Sequence, residues 1–362
     1  MKTELIVVGG GPAGLMAALE AAEKNVMVTI IEESHQLGGQ FRQQTQFLDS
    51  LPEGMPRMRG VELANELVKK VTNNDNIQVY TNHAVIGLYE DGRVGLNNGK
   101  EILSCQTEKI IVATGADIQA VFFPGWTLPG VMTIGASQIM VNRERIKPGN
   151  STFIVGSSDF ALEVALQLEE VGINVLGIIE KDSKFHYRKQ ALGEQVKEKG
   201  IPLFKNTFIE QAQGNGQVER VILNHNGKRE EYEVDLICVD GGLNPIVELC
   251  QLYDCSFTYN ETLGGWIPSY QSNFQTSADG VFVAGNAAGI TCQGAVLVTG
   301  KLAGLSVAES LGKVSAQEAN LIRSHYWSEL SKVEQEFNPL VHEARMEHVQ
   351  NIDQAQIKVY ES

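Results

Sequence analysis

The chain has 362 residues, 43% of them hydrophobic, which is enough for one large or two medium domains with proper cores and excludes a disordered polypeptide. With 44 acidic against 29 basic residues its formal net charge is −15. That balance excludes binding to a polyanion such as nucleic acid, where phosphate neutralisation needs clustered Lys and Arg, and leaves small molecules and other proteins as partners.

Met1-Lys2-Thr3-Glu4 runs directly into the apolar stretch Leu5 to Val8, which leaves no room for a signal peptide ahead of a first strand. No apolar run reaches the roughly 20 residues that a spanning helix needs. A cytoplasmic protein that is not an integral membrane protein is expected, with peripheral attachment at the inner face of the membrane left open.

Leu5 to Val8 reads as a fully buried parallel strand, followed by Gly9-Gly10-Gly11-Pro12-Ala13-Gly14 and an alanine-rich helix over Leu15 to Glu23. In this strand, glycine turn and helix, Gly9 permits the tight turn, Gly11 lets a pyrophosphate approach the backbone, and Gly14 lets the helix pack closely. The anion then sits on the helix N-terminus, where free N–H groups and the dipole favour it. A second apolar strand, Val26 to Ile31, ends in Glu32 about 20 residues on, the position where a carboxylate accepts from adenosine ribose hydroxyls. Glu33 is adjacent and takes that role if the register slips by one, although successive strand side chains face opposite ways.

Three further segments set the cofactor: Leu37-Gly38-Gly39-Gln40-Phe41-Arg42, then Ile110-Ile111-Val112-Ala113-Thr114-Gly115-Ala116, then Gly280-Val281-Phe282-Val283-Ala284-Gly285-Asn286. Together they resemble the FAD signatures of glutathione-reductase-like flavoproteins. The resemblance implies FAD, held by Gly9, Gly11, Pro12, Ala13, Gly14, Glu32 or Glu33, Gly39, Gln40, Arg42, Val85, Ala113, Thr114, Gly115, Gly285, Asn286 and Gln293. That family usually has Asp where this chain has Asn286, a change that keeps hydrogen bonding and loses a charge. The apolar helix after Gln293 would, in that family, point its N-terminus at the flavin pyrimidine edge, where its dipole stabilises a reduced flavin.

A second strand, turn and helix begins at Thr152-Phe153-Ile154-Val155-Gly156, with a helix over Leu162 to Val171 and a strand Asn174 to Ile179 ending in Glu180. The glycines are not repeated, since Ser158 and Ala161 stand where the second and third would be, and Asp159 puts a carboxylate near any phosphate. Two readings stay open: a working NAD(H) site at Gly156, Ser158 and Glu180, and a vestigial domain. The nearby Lys181, Lys184, Arg188 and Lys189 read as a solvated face.

The order of signals makes the fold class α/β, with two Rossmann-like dinucleotide-binding domains of glutathione/thioredoxin-reductase type, the second inserted in the first. Expected boundaries are 1–118 for the first part of the FAD domain, 119–248 for the insert, 249–312 for the second part, and 313–362 for a helical C-terminal tail. Asp235 to Asp240 closes the insert, and Gly241 to Pro245 is the returning turn. In the tail, Leu321, Tyr326, Leu330, Val333 and Phe337 fall near one helical face, with Pro339 breaking the pattern, so the helix either covers the core or docks a partner.

The five cysteines, Cys105, Cys238, Cys250, Cys255 and Cys292, contain no C-x-x-C pair, which fits reduced buried thiols and no metal site. No cysteine follows Cys292, so no iron-sulfur cluster is expected on this chain.

One stretch is more specific: Phe123-Pro124-Gly125-Trp126-Thr127-Leu128-Pro129-Gly130-Val131-Met132-Thr133. With Leu263-Gly264-Gly265-Trp266-Ile267-Pro268 and Thr276 to Gly285, it resembles the FAD-containing alpha-type subunits of dye-linked proline dehydrogenase, hydroxyproline dehydrogenase, opine oxidase and hydrogen cyanide synthase. A related region occurs in heterotetrameric sarcosine oxidase. The resemblance spans about residues 3 to 312. It implies an electron-relaying FAD subunit of an amine or amino-acid dehydrogenase. Its partner would be a beta-type flavoprotein resembling D-amino-acid oxidase, and any iron-sulfur centre would lie on another, small subunit. Two alternatives remain: a free-standing homodimeric NADH-dependent flavin reductase, and a non-catalytic FAD-bound scaffold.

Overall fold

The computed structural model describes residues 2–48, 50–89 and 91–360, with 355–360 described by backbone alone. The chain divides into two compact units, one of residues 1–117 with 244–362 and one of residues 118–243. The boundary falls inside the returning turn, with Gly241 to Leu243 in the second unit and Asn244 and Pro245 in the first, where the next residue, Ile246, is bonded both ways: its N–H to Gly115 O at 3.1 Å and its carbonyl from the Thr114 hydroxyl at 2.5 Å.

The first unit is built on a five-stranded sheet in the order Val281–Val283, Lys109–Val112, Leu5–Val8, Val28–Ile31, Ile77–Tyr80, every pair parallel. The apolar runs Leu5–Val8 and Val28–Ile31 are buried throughout, as strands covered on both faces must be. The second strand starts at Val28 rather than Val26, since pairing opens with Leu5 opposite Val28. Helix Pro12–Glu23 begins three residues before the expected Leu15, because Gly11 serves as N-cap and Pro12 supplies the fixed φ of the first turn. It packs on helix Gln293–Ser310 almost backbone to backbone: a Cβ at Gly300 would stand 2.3 Å from Ala13 O, and one at Gly304 2.4 Å from Ala17 O. A three-stranded antiparallel sheet, Ala84–Leu88, Arg93–Asn97 and Ile102–Gln106, completes the nucleotide-binding topology.

The second unit repeats the plan. Its parallel sheet runs Leu203–Phe204, Asn174–Ile179, Ser151–Val155, Leu236–Val239, Val131–Thr133, beside the antiparallel strands Thr207–Gln213, Arg220–His225 and Lys228–Glu233. Here too the helix starts earlier than its apolar pattern, over Asp159–Glu170 instead of from Leu162, because Ser158 caps it.

The C-terminal segment forms two helices, Ala316–Phe337 and Pro339–Tyr360. Pro339 does not merely end the pattern; it opens the second helix, where its missing N–H costs nothing. Leu330, Val333, Val341 and Val349 join the core of the first unit, whereas Leu321 is 71% exposed and does not belong to the buried stripe. Among the described residues, no helix is long and apolar enough to cross a membrane.

Candidate dinucleotide cradle

The end of the first strand is shaped by contacts that only glycine tolerates. Gly9 has φ +103° and a Cβ there would lie 2.3 Å from Ala113 O, while one on Gly14 would lie 1.9 Å from Gly9 O. Gly11 differs. Its φ of −76° is ordinary, and a Cβ would meet nothing nearer than Gly39 Cα at 3.9 Å, so the position faces open space at the helix start. That helix has no side-chain cap, and its first backbone bond is Leu15 N–H to Gly11 O at 2.9 Å. The preceding N–H groups of Ala13 and Gly14 have no intrahelical partner, the arrangement that receives an anion.

Glu32 lies against this turn. Its Oε2 accepts the Gly10 N–H at 2.7 Å and its Oε1 the Ser34 N–H at 2.8 Å, and the residue is buried, while Glu33 is exposed. A carboxylate has about four acceptor sites, so two donors leave capacity for ribose hydroxyls. Gly39 closes over Gly11, its Cβ position being 2.7 Å from Gly11 Cα, and Gly38 N–H bonds Gly10 O at 2.8 Å. Gln40 is exposed and accepts from Gln43, and Arg42 donates to Gln36 Oε1 at 2.6 Å. Val85 sits half-buried in Ala84–Leu88, just beyond His83, whose N–H bonds Glu32 O at 3.0 Å.

The third segment reaches the same place. A Cβ on Gly285 would stand 2.7 Å from Ala13 Cβ, and Gly285 N–H is held by the buried Thr299 hydroxyl at 2.9 Å. Asn286 Oδ1 accepts the Thr291 N–H at 3.2 Å, and Gln293, first residue of its helix, accepts from Ser50 Oγ at 3.2 Å. Ala113 N–H bonds Val8 O at 2.8 Å, but the Thr114 hydroxyl and the Gly115 carbonyl are both committed to Ile246. Thus Gly9, Gly11, Ala13, Gly14, Glu32, Gly39, Ala113 and Gly285 converge. Gly10, Ser34 and Thr299 hold the cradle without having stood out in the sequence. An open glycine, an uncapped helix and a half-satisfied buried carboxylate fit the pyrophosphate and ribose of a dinucleotide.

The matching end of the second unit is closed by its own side chains. Ser158 caps the helix, accepting Ala161 N–H at 3.1 Å, and donates to the Asp240 carboxylate. A Cβ on Gly156 would stand 2.4 Å from Asp240 O. Ser157 donates to Glu180 at 2.7 Å and accepts His186 N–H at 2.9 Å, while Asp159 accepts the N–H groups of Arg188 and Lys189 at 2.8 and 2.9 Å. Burial, aided by Glu180, raises the Asp240 pKa against the pull of Ser158. Glu180 keeps the place that Glu32 has in the first unit, but Asp159 and Asp240 set two carboxylates beside a helix start that Ser158 caps, and these residues do not fit a pyrophosphate. Glu180, Asp182 and His186 also bring three ligand atoms within 4.8 Å of one another, and there His186 Nε2 already lies 2.9 Å from Asp182 Oδ2.

The family model for pyridine nucleotide-disulphide oxidoreductases matches residues 3–316. The chain belongs to that family. It is 27% identical to the HcnB subunit of hydrogen cyanide synthase from Pseudomonas protegens, over 92% of this chain and 76% of that protein. It is 26% identical to an opine oxidase subunit of Agrobacterium tumefaciens, over 88% of this chain and 67% of that one. Among solved structures it resembles L-proline dehydrogenase from P. horikoshii, with a TM-score of 0.74 and 24% identity, covering 92% of this chain but 59% of that one. It also resembles T. acidophilum thioredoxin reductase, with a TM-score of 0.70 and 21% identity, covering 86% and 99%. At these identities the two structural likenesses are of fold.

A pyridine nucleotide-disulphide oxidoreductase invites a search for paired thiols, and all five cysteines here are free and buried. Cys250 and Cys255 are neighbours for a backbone reason. Cys255 N–H bonds Cys250 O and Asp254 N–H bonds Gln251 O, both at 3.0 Å, and Asp254 has φ +51°. This is a Schellman cap on helix Glu248–Leu252, which brings the side chains at its two ends together. The hydrogen bond between the two thiols holds Cys255 down at about 7 despite burial, and pushes Cys250 up.

Proposed function

We propose that the chain is the FAD-carrying, electron-transferring subunit of a heteromeric amine or amino-acid dehydrogenase. The observation that carries this reading is the contrast between the two units: one open, uncapped glycine cradle with a buried carboxylate, and one helix end closed by Ser158 and Asp240. A flavin reductase needs two nucleotide sites, and only one of these ends fits a dinucleotide. The names of the relatives, subunits of hydrogen cyanide synthase and opine oxidase, support a chain that works within a complex.

On this reading the FAD domain is the unit of residues 1–117 with 244–362, wider at the C-terminal end than the expected 249–312. The Ala13 and Gly14 N–H groups receive the pyrophosphate, and Gly11 and Gly39 leave room for it. Pro12, with no N–H, only sets the turn. Glu32 holds the ribose. Asn286 and Gln293 line the start of helix Gln293–Ser310, whose dipole favours negative charge next to it. FAD, when bound, supplies a carrier that accepts electron pairs and passes them on. The residues of this chain orient that carrier and exclude water from it. Oxidation of the CH–NH donor would belong to a flavoprotein partner resembling D-amino-acid oxidase, in the cytoplasm, with any iron-sulfur centre on a further subunit.

Native mass spectrometry of the protein purified from its own cells tests this. Co-purification of FAD and a second flavoprotein supports the relay. A homodimer carrying FAD that is bleached near 450 nm by NADH would replace it with the reductase.

A further inference from the structure

The two C-terminal helices lie almost wholly beyond the matched residues 3–316, yet they place a fully buried charge against the loop that follows the cradle's third segment. Arg345 has no exposed surface, and neither has the side chain of Glu334 opposite it. Arg345 Nε donates to Glu334 Oε1 at 2.9 Å, Nη1 to the Tyr270 hydroxyl at 2.6 Å and to Ala288 O at 2.8 Å, and Nη2 to Gly289 O at 3.3 Å. Tyr270 donates to the same Ala288 carbonyl at 2.8 Å, and Glu334 Oε1 also accepts the Thr291 hydroxyl at 2.7 Å. The bonds that run from Arg345, Tyr270 and Glu334 to this part of the chain end on Ala288, Gly289 and Thr291, in the loop that joins the cradle's third segment, Gly280 to Asn286, to helix Gln293–Ser310.

A buried ion pair is weak support for stability as such, since well-packed apolar side chains do as well or better. What a guanidinium adds is direction. Its fixed fork satisfies a carboxylate, a phenol and two successive carbonyls at once, which neither leucine nor lysine can do. The loop it grips carries Asn286 and leads into Gln293.

We infer that Arg345 is a positioning residue for the flavin: by gripping the carbonyls of Ala288 and Gly289, and Thr291 through Glu334, it sets loop 286–291 and the helix start behind it for the bound cofactor. This rests on FAD occupying the first cradle.

The test uses the full-length chain, stripped of flavin and titrated with FAD, with apoprotein melting and the flavin midpoint potential measured alongside. Arg345→Met should weaken FAD binding about tenfold, the loss of one charge-assisted hydrogen bond, and move the potential to more negative values as a positive charge is removed. Arg345→Lys should recover part of both. Thr291→Val leaves the buried pair intact and should weaken binding roughly threefold with little change in apoprotein melting. If Arg345→Met does not fold, Thr291→Val alone decides. Folded variants that melt lower but bind FAD with unchanged affinity and potential overturn the inference and leave Arg345 a structural residue. Wild-type protein that takes up no FAD at all would instead overturn the reading beneath it.

Discussion

Glu32 accepts the backbone N–H of Gly10 at 2.7 Å, so the acid that ends the second strand is bonded to the turn that ends the first. The carboxylate therefore shapes the loop as well as offering itself to a ribose. Glu32→Ala should lower FAD affinity about tenfold to a hundredfold, the range for hydrogen bonds to a charged group. It should also lower the melting temperature of the apoprotein, because the N–H groups of Gly10 and Ser34 lose their acceptor. Glu32→Gln, which retains one acceptor oxygen, should fall between. FAD titration monitored by flavin fluorescence measures this, and unchanged affinity in Glu32→Ala would remove the ribose role.

Two glycines of the same turn should respond in opposite ways. At Gly14 a methyl would stand 1.9 Å from Gly9 O, so Gly14→Ala must displace helix from strand and should cost the fold several kcal/mol. At Gly11 the backbone is ordinary and the space open, so Gly11→Ala should melt like wild type while losing FAD affinity, since the methyl intrudes only where the pyrophosphate would lie. Melting curves with and without FAD separate the two effects. Equal destabilisation of both apoproteins would count against Gly11 facing a ligand.

Much of this cradle is legible in the sequence because its signals are local. The runs Leu5–Val8 and Val28–Ile31 announce buried parallel strands, and strand alternation separates Glu32 from Glu33 within two residues. The apolar pattern places two helix starts late, at Leu15 and Leu162, because the apolar period begins inside the helix while the cap residues Gly11 and Ser158 begin it. Leu321 shows the converse error, since a helical stripe extends through exposed positions when the partner surface ends. Arg345 gives no signal at all. It meets Tyr270 across 75 residues of sequence, and in its own helix it looks like any solvated arginine.

The closed end of the second unit makes a prediction that can fail in two ways. Calorimetry with NADH should show no binding in the micromolar range, because Asp159 and Asp240 flank a helix end already capped by Ser158. Asp240 itself should act on stability. Burial raises its pKa in the folded protein, so the folded state holds that proton more tightly than the unfolded one. Stability from this group is present below the unfolded value near 3.8 and declines as pH rises through the folded one. Asp240→Asn, which still accepts from Ser158, should therefore gain on wild type as pH rises from 4 to 7. Melting curves of the two proteins that stay parallel over that range would show that Asp240 carries no such penalty.

His348 should give the opposite slope. Burial, reinforced by Arg345, lowers its pKa from 6.5 to about 4, and its Nε2 accepts the Tyr270 N–H at 3.4 Å, which requires the neutral ring. Below pH 6.5 the unfolded chain binds a proton here that the folded one refuses, so stability falls with pH through the window from 6.5 to about 4. The full loss is at most about 3 kcal/mol for this one group. Arg345 sits on the same helix as the ring and is bonded to Glu334 on the preceding one, so the loss should arrive cooperatively with release of both C-terminal helices. His348→Gln keeps an acceptor and cannot take the charge. Urea unfolding at pH 7.5 and pH 5 should then show a smaller acid loss in the variant than in wild type, and the difference of differences isolates His348 from the other titrating groups. If both proteins lose the same stability between the two pH values, the ring is not held neutral and the hydrogen bond from Tyr270 is not what seats it.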